Sequence, residues 1–222
     1  ENMKEEMWSL ARERRSGQTK RVRTEICFTN PENRAAILKS LVKTYRAHPT
    51  TKYLSVSAED NNDYCRCPAC AALCEREESA AGLNIDLINY LAEELEKQVP
   101  RARLKTNAYL WTRKPPKTIR PRHNVLIQFA PIEADYAHPL AAASNPENKA
   151  IKDDIEGWSR ITKNLFIWNY VGNRAHYLMP EPDLDSMVSN IRFFVDNGAI
   201  GIGEQGTHAG VGTEFVSLRM WV

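Results

Sequence analysis

The chain has 222 residues, of which 42% are hydrophobic and 26% are charged, and its formal net charge is +2. This composition is typical of globular domains and excludes a largely disordered chain, because enough apolar mass is present to offset the chain entropy. No segment approaches the roughly 18–20 apolar residues of a membrane-spanning helix. The near-neutral charge gives no broad field that would attract nucleic-acid phosphates. We therefore expect neither a membrane span nor a nucleic-acid partner.

The first half of the chain contains patterns for strands and helices in turn. Residues 3–15 carry mixed charge and predict a helix or irregular chain. The alternating, β-branched segment 21–28 predicts a first strand. A helix then begins at Pro31, with Asn30 as its cap, and runs to about Ala47. The next predicted elements are a strand at 53–57, a helix at 79–98 and a strand at 104–111.

The second half continues the same alternation after a proline-rich basic loop. Gly198 is a predicted cap at the end of a helix. The uncapped amphipathic segment at the end of the chain indicates an excised piece of a longer protein. The predicted elements are strands at 124–130, 164–170 and 199–204, and helices at 148–162, 184–197 and 213–222.

Strands that alternate with helices indicate a parallel sheet with right-handed crossovers. The spacing of about 30 residues per unit fits a (β/α)8 TIM-barrel-like fold, which uses roughly 250 residues for eight units. We therefore expect an α/β fragment with about six parallel strands. Residues 1–222 would form one partial barrel domain, truncated at both ends, whose missing parts lie in the same polypeptide. A doubly wound open sheet is the alternative.

Acids and aromatic residues follow the carboxyl ends of the predicted strands, where parallel α/β proteins place their chemistry. Paired carboxylates can act as acid and base at a glycosidic bond, and aromatic rings stack on sugars. Asp60 or Glu59 is the predicted general acid, and Glu204 is the opposing carboxylate. No cofactor is required for this catalysis. The predicted substrate-binding residues are Asn107, Tyr109, Trp111, Glu133, His138, Trp168, Asn169, Tyr170 and His208.

These polar residues also have a purely structural interpretation. Loops are polar in any case, and helix caps use Asp, Asn, Ser and Thr. Asp60 could therefore cap the next element without any role in catalysis. A barrel that binds carbohydrate without cleaving it is a further alternative.

Four of the five cysteines lie within ten residues, at positions 65, 67, 70 and 74. Thiolates of Cys65, Cys67, Cys70 and Cys74 on one tight loop could enclose a structural Zn²⁺. They could instead form disulfides, or remain reduced and buried. A zinc module without catalysis is thus another functional alternative. Cys27, in the first predicted strand, is interpreted as a core residue.

The segment 201–206 matches the dinucleotide-binding pattern G-x-G-x-x-G. A dinucleotide site also requires a helix directly afterwards and an acid about 20 residues further on. Glu204 would in addition place a negative charge against the pyrophosphate. We therefore interpret these glycines as positions of close packing.

Three segments resemble one bacterial family: SVSAEDNNDYCRCPAC, IQFAPIEADYAHPL, and the stretch from IWNYVGNRAHYLMP to GIGEQG. The resemblance covers about residues 27–205. The family is a domain of unknown function in the glycosidase-type TIM-barrel superfamily, distantly similar to α-glucuronidases and hexosaminidases. By position, Asp60 matches the acid before the cysteines, and Glu204 matches the acid of E-Q-G. The resemblance implies a carbohydrate partner, a glycoside hydrolase-like activity and a secreted or periplasmic location.

Overall fold

The computed structural model describes residues 3–13, 17–142, 145–173 and 183–206. The predicted helix at 213–222 lies outside the described residues. The strands are β1 (Trp8–Arg12), β2 (Thr19–Ile26), β3 (Leu54–Ser55), β4 (Leu104–Ala108), β5 (Val125–Phe129), β6 (Leu165–Tyr170) and β7 (Ala199–Gln205). The helices are α1 (Pro31–Ala47), α2 (Pro68–Glu77), α3 (Ala81–Gln98), α4 (Pro146–Ile161) and α5 (Leu184–Asp196). The chain divides into two compact units: the first comprises Glu1–Gln128 and the second comprises Phe129–Val222.

The first two strands form an antiparallel hairpin of their own. The prediction for residues 21–28 is thus correct as a strand but wrong in its parallel direction. The prediction of a helix or irregular chain at 3–15 is wrong for β1. In β1 the buried side chains are the small ones of Ser9 and Ala11, whereas the bulkier Trp8 and Leu10 are only half-buried. The sequence of β1 therefore lacks the alternation of hydrophobic and polar residues by which a strand is usually predicted.

The remaining five strands form a parallel sheet in the order β3-β4-β5-β6-β7. The mixed α/β class is confirmed. Five parallel strands replace the expected six, because β2 belongs to the hairpin. Among the described strands β3 and β7 stand at the two ends of this order, so the sheet is not a closed barrel.

In the first unit, α1 and α3 begin and end close to the predicted residues. The Asn30 side chain accepts hydrogen bonds from the backbone N–H groups of Glu32 and Asn33, which confirms the predicted cap. The apolar face of α3 is fully buried at Leu83, Leu87, Leu91 and Leu95. This face supplies much of the core around β4 and β5, whose central side chains are also buried.

The sequence analysis did not predict helix α2, whose last residue, Glu77, bonds it to the segment around Thr118. The carboxylate of Glu77 is completely buried and accepts hydrogen bonds from the backbone N–H groups of Thr118 and Ile119 and from the Thr118 hydroxyl. Arg76 donates a further bond at 2.9 Å. A Cβ atom on Gly82 would lie 2.7 Å from Glu77 Cβ, so α2 and α3 approach closely at this glycine.

In the second unit, α4 starts two residues earlier than predicted, because Asn145 caps it by accepting from the Asn148 N–H. Strands β6 and β7 pair in parallel, with Asn169 opposite Glu204. A Cβ atom on Gly201 would lie 2.9 Å from the Phe166 ring. The interpretation of this glycine as a position of close packing is therefore confirmed.

Within the described residues, no helix is both long enough and apolar enough to span a bilayer.

Candidate metal centre and strand-end sites

Four cysteine sulfur atoms meet in the first unit. The Sγ atoms of Cys27, Cys65, Cys67 and Cys70 all lie within 4.8 Å of one another. Cys27 Sγ is 3.8 Å from both Cys67 Sγ and Cys70 Sγ. All five cysteines of the chain are free thiols, and a disulfide would need a sulfur separation of about 2.05 Å. We call these four residues the thiol cluster.

Three different elements position the thiol cluster. Cys27 directly follows β2, Cys65 lies in the loop between β3 and α2, and Cys67 is the residue that precedes α2. Pro68 occupies the first helical position, so α2 begins at once and its first turn carries Cys70. The loop is also tied to β1, because the Arg66 N–H donates to the Leu10 carbonyl at 2.8 Å.

Polar neighbours surround the sulfur atoms. The Leu10 N–H donates to Cys65 Sγ at 3.3 Å. The Thr29 hydroxyl lies 3.1 Å from Cys70 Sγ and 3.4 Å from Cys27 Sγ. Hydrogen bonds from the Cys65 and Cys70 thiols hold the pKa of Cys27 well below its ordinary value. Contacts of this kind orient metal-binding thiolates in proteins.

The membership of the thiol cluster differs from the sequence analysis in one residue. Cys27, interpreted there as a core residue, takes the place that Cys74 has in the predicted set. Cys74 lies four residues after Cys70 on α2, outside the four mutually close sulfur atoms. Burial raises the pKa of its thiol. The signal that was missed is the position of Cys27 at a strand end, 38 residues before Cys65.

The predicted acids after β3 are exposed. Glu59 and Asp60 both lie in the loop that leads to the thiol cluster. The nearby Asp63 is held more firmly, because it accepts a bond of 2.6 Å from the Thr24 hydroxyl. The structure thus places Asp60 on the surface of the first unit, where its catalytic role stays a prediction.

A carboxylate that the sequence analysis missed lies next to Glu59. Glu25, in β2, is 4% exposed, and its two carboxylate oxygens accept from the backbone N–H groups of Ile26 and Glu59 at 2.8 and 2.9 Å. Burial raises the pKa of Glu25. The two hydrogen bonds lower the pKa, and the charges of Glu59 and Asp63 raise it further. The feature of the sequence that could have indicated Glu25 is a charged residue within a predicted strand.

The predicted aromatic wall after β4 is packed within the first unit. Trp111 stacks on Tyr64 with ring centroids 5.1 Å apart and tilts against Phe28 at 5.7 Å. Its indole nitrogen is buried and has no hydrogen-bond partner in the described part of the chain. The preceding Leu110 has φ 49°, a strained conformation for a residue of this type. Leu110–Thr112 form one turn of 3-10 helix, and Tyr109 is the cap residue that precedes it.

Asn107, at the end of β4, holds neighbouring strands and helices together. Its side chain accepts from Gln128 at 3.2 Å, and its carbonyl accepts from Thr112 at 2.9 Å. These hydrogen bonds give Asn107 a structural role. Its contact with substrate stays a prediction.

In the second unit, two predicted residues, Asn169 and Glu204, meet between β6 and β7. Asn169 is 3% exposed and forms a side-chain hydrogen bond with Glu204. Glu204 is exposed as a residue, yet desolvation of its carboxylate raises its pKa; Asn169 lowers the pKa and the charge of Asp183 raises it. The Asn169 Oδ1 atom is buried with no partner among the described residues. Trp168 donates to Gln205 at 2.8 Å.

Other predicted residues of the second unit lie in the loop after β5 or beside it. Tyr170 is 9% exposed and meets Tyr136 edge to face at 6.4 Å. His138 Nδ1 is 2.6 Å from the Asp135 carboxylate, and this hydrogen bond lowers the pKa of Asp135. Glu133 is exposed. His208 lies outside the described residues.

The comparison with known proteins identifies the family. Residues 2–222 match the profile of the family described as "Domain of unknown function (DUF4838)". The chain belongs to the DUF4838 family. The predicted membership of a family of unknown function is confirmed. No curated protein and no solved structure matches the chain.

The predicted site residues of this DUF4838 domain fall into two groups. Glu59, Asp60, Asn107, Tyr109 and Trp111 belong to the first unit, as does the whole thiol cluster. Within the second unit the structure brings together Asn169 and Glu204, whereas Trp168 projects from the opposite face of β6. The geometry of the DUF4838 domain is thus most specific at the thiol cluster, where four ligand atoms of one chemical type converge.

Proposed function

We propose that the thiol cluster binds one Zn²⁺ as a structural tetrathiolate centre. The single observation that carries this proposal is the spacing of the sulfur atoms. With Zn–S bonds of about 2.3 Å, the sulfur atoms of a regular tetrahedron lie about 3.8 Å apart. Cys27 Sγ is 3.8 Å from two of its neighbours, and the other separations reach at most 4.8 Å. Only small side-chain adjustments would close the site.

Four protein ligands leave no open coordination position, which is typical of structural rather than catalytic zinc. Such a centre would join the end of β2 to the loop before α2 and to the first turn of that helix. The loop that carries Glu59 and Asp60 would be fixed at its far end by Cys65. Zinc is thus proposed to stabilise the first unit and the loop that precedes the cluster.

Elemental analysis of the purified chain tests this proposal. We expect one zinc per chain in the wild type and in Cys74→Ala, and strongly reduced zinc in Cys27→Ala. Co²⁺ in place of zinc should give the intense visible absorption of tetrahedral thiolate coordination. A metal-free wild type that does not take up Zn²⁺ or Co²⁺ in its reduced form would contradict the proposal, as would undiminished zinc in Cys27→Ala.

A second proposed function is acid/base hydrolysis of a glycosidic bond, in which Glu204 takes part. It is favoured by the raised pKa of the Glu204 carboxylate, which lies beside the buried Oδ1 atom of Asn169, an atom with no hydrogen-bond partner among the described residues. A carboxyl group of raised pKa suits a general acid, and Asn169 Oδ1 could accept a bond from a sugar hydroxyl. A secreted or periplasmic location belongs to the same proposal.

The proposed barrel is supported by the order of the strands. Strands β3 to β7 follow one another in the sheet in chain order, as in a (β/α)8 barrel. A doubly wound sheet reverses its order at a switch point, which these five strands do not do. We infer that further strands of the same polypeptide would complete the barrel.

The hydrolase proposal is tested with a panel of 4-nitrophenyl glycosides of neutral, acidic and amino sugars. For any substrate that the wild type cleaves, Glu204→Gln should reduce kcat by about 10²–10⁴-fold. Asp196→Asn, which removes a charge from the end of α5, serves as the matched control and should leave turnover unchanged. Full activity of Glu204→Gln would exclude this role for Glu204. Sugar binding without turnover by the wild type would favour the non-catalytic alternative.

A further inference from the structure

A cleft in the first unit is lined by none of the four cysteines of the thiol cluster, although Ile26 and Phe28, on either side of Cys27, line it. It has a volume of about 570 Å³ and is lined from β1, β2, α1 and the segment from β3 to Glu59. Cavities of roughly 300–1,000 Å³ are typical of small-molecule sites. Its apolar lining includes Phe28, Ile37 and Leu41. The cleft is therefore large enough for a small ligand and offers it one apolar surface.

Glu25 is the buried charged group of this cleft. Each of its two carboxylate oxygens accepts one backbone N–H, as described above. A carboxylate oxygen can accept about two hydrogen bonds, so each oxygen retains capacity for a ligand donor. The backbone bonds also hold the carboxylate in place. Glu25 is thus a preorganised acceptor in the wall of the cleft.

The charge around Glu25 is not balanced by a close ion pair. Among the described residues, no Lys, Arg or His side chain forms an ion pair with Glu25. The carboxylate of Glu59 also lines the cleft. Arg23 lines the cleft as well but is exposed to solvent. A cationic ligand would compensate the buried carboxylate, because an unpaired buried charge is costly.

The remaining lining of the cleft suits a hydroxylated ring. Hydroxyl groups come from Ser40, Ser55 and Ser57, and Trp8 contributes an indole. Hydroxyl side chains exchange hydrogen bonds with hydroxyl groups of a ligand, and an indole attracts both apolar ring faces and cations. The cleft therefore combines acceptors for an ammonium group with partners for several hydroxyl groups.

We propose that this cleft binds a hydroxylated primary amine of the amino-sugar class, whose ammonium group is held by Glu25 and Glu59. The proposal rests on the carbohydrate part of the proposed function for its ligand class. It requires binding alone and needs no hydrolysis.

Calorimetric titration of the intact chain with three sugars tests the proposal. D-glucosamine, at a pH at which its amine is protonated, should bind at least about tenfold more tightly than D-glucose or N-acetyl-D-glucosamine, because only glucosamine offers a charge-assisted bond. Glu59→Gln should weaken glucosamine binding and leave the chain folded, since Glu59 is exposed. Glu25→Gln should weaken binding further. Glu5→Gln, which removes an exposed charge outside the cleft, is the matched control.

Equal affinity for the three sugars, or unchanged glucosamine binding by both Glu59→Gln and Glu25→Gln, would overturn the proposal. The hydrolase hypothesis is tested by a different experiment, the turnover measurement on Glu204→Gln. If Glu204→Gln retains full turnover while glucosamine binding depends on Glu25, only the hydrolase role of Glu204 is excluded. If turnover depends on Glu204 and glucosamine does not bind in the cleft, only the amino-sugar site is excluded.

Discussion

Removal of zinc from the reduced chain is expected to lower its melting temperature by roughly 8–16 °C. A ligand present at 1,000 times its dissociation constant stabilises the folded state by about 4 kcal/mol. In a chain of this size each kcal/mol corresponds to roughly 2–4 °C. The apolar core around α3 does not depend on the metal, so we expect a less stable fold and not a fully unfolded chain. Thermal melting followed by circular dichroism, with and without a strong chelator, measures the shift.

Two cysteine variants make this test specific. Cys27→Ala should melt at the temperature of the chelated wild type and should show no further effect of the chelator. Cys74→Ala should keep the chelator-dependent shift, because Cys74 lies outside the thiol cluster. A chelator effect that survives in Cys27→Ala and disappears in Cys74→Ala would assign the metal to the cysteines of the sequence prediction instead.

Glu77→Gln is expected to reduce the free energy of unfolding by about 3 kcal/mol near neutral pH. Burial by itself would raise the pKa of Glu77, but its hydrogen bonds from Thr118, Ile119 and Arg76 lower the pKa to about 2. The shift from the ordinary value of 4.5 corresponds to about 3 kcal/mol at 1.36 kcal/mol per pKa unit. Urea unfolding of the wild type and the variant measures the difference.

The pH dependence of this difference has a defined sign. Because the folded-state pKa is depressed, the stabilisation by Glu77 is present above pH 4.5 and is lost as the pH falls toward 2. The difference in the free energy of unfolding between wild type and Glu77→Gln should therefore become smaller as the pH falls over this range. Glu78→Gln, which removes an exposed carboxylate paired with Lys117, should change stability little. A gap that stays constant down to pH 2 would contradict the assignment to the Glu77 carboxylate.

Several helices could be predicted from the sequence because their signals are local. The Asn30-Pro31 pair marks the start of α1, and leucines at helical spacing mark the buried face of α3. These features depend on neighbours within a few residues in the chain. Helix α2 was missed for the opposite reason. Its hydrophobic pattern is weak, and it is fixed by Glu77, which bonds to a segment some 40 residues away.

The candidate sites show the same difference between local and distant information. Asn169 and Glu204 lie opposite each other because parallel neighbouring strands bring their carboxyl ends to one edge, which is the local rule from which both were predicted as site residues. Glu25 was missed because a single acid in a β-branched strand usually indicates a solvent-facing side chain. Only the fold shows that this carboxylate is buried and meets the backbone of Glu59.

The sequence by itself determined the mixed α/β class, the positions of most helices and strands, and a concentration of cysteines in the segment around the start of α2. Helix periodicity, caps and cysteine spacing are properties of short segments, so they can be recognised without coordinates. Only the tertiary structure decided that β2 pairs with β1 and that Cys27 replaces Cys74 in the thiol cluster. Both outcomes depend on contacts between segments distant in the chain, and such contacts are selected by the packing of the whole unit.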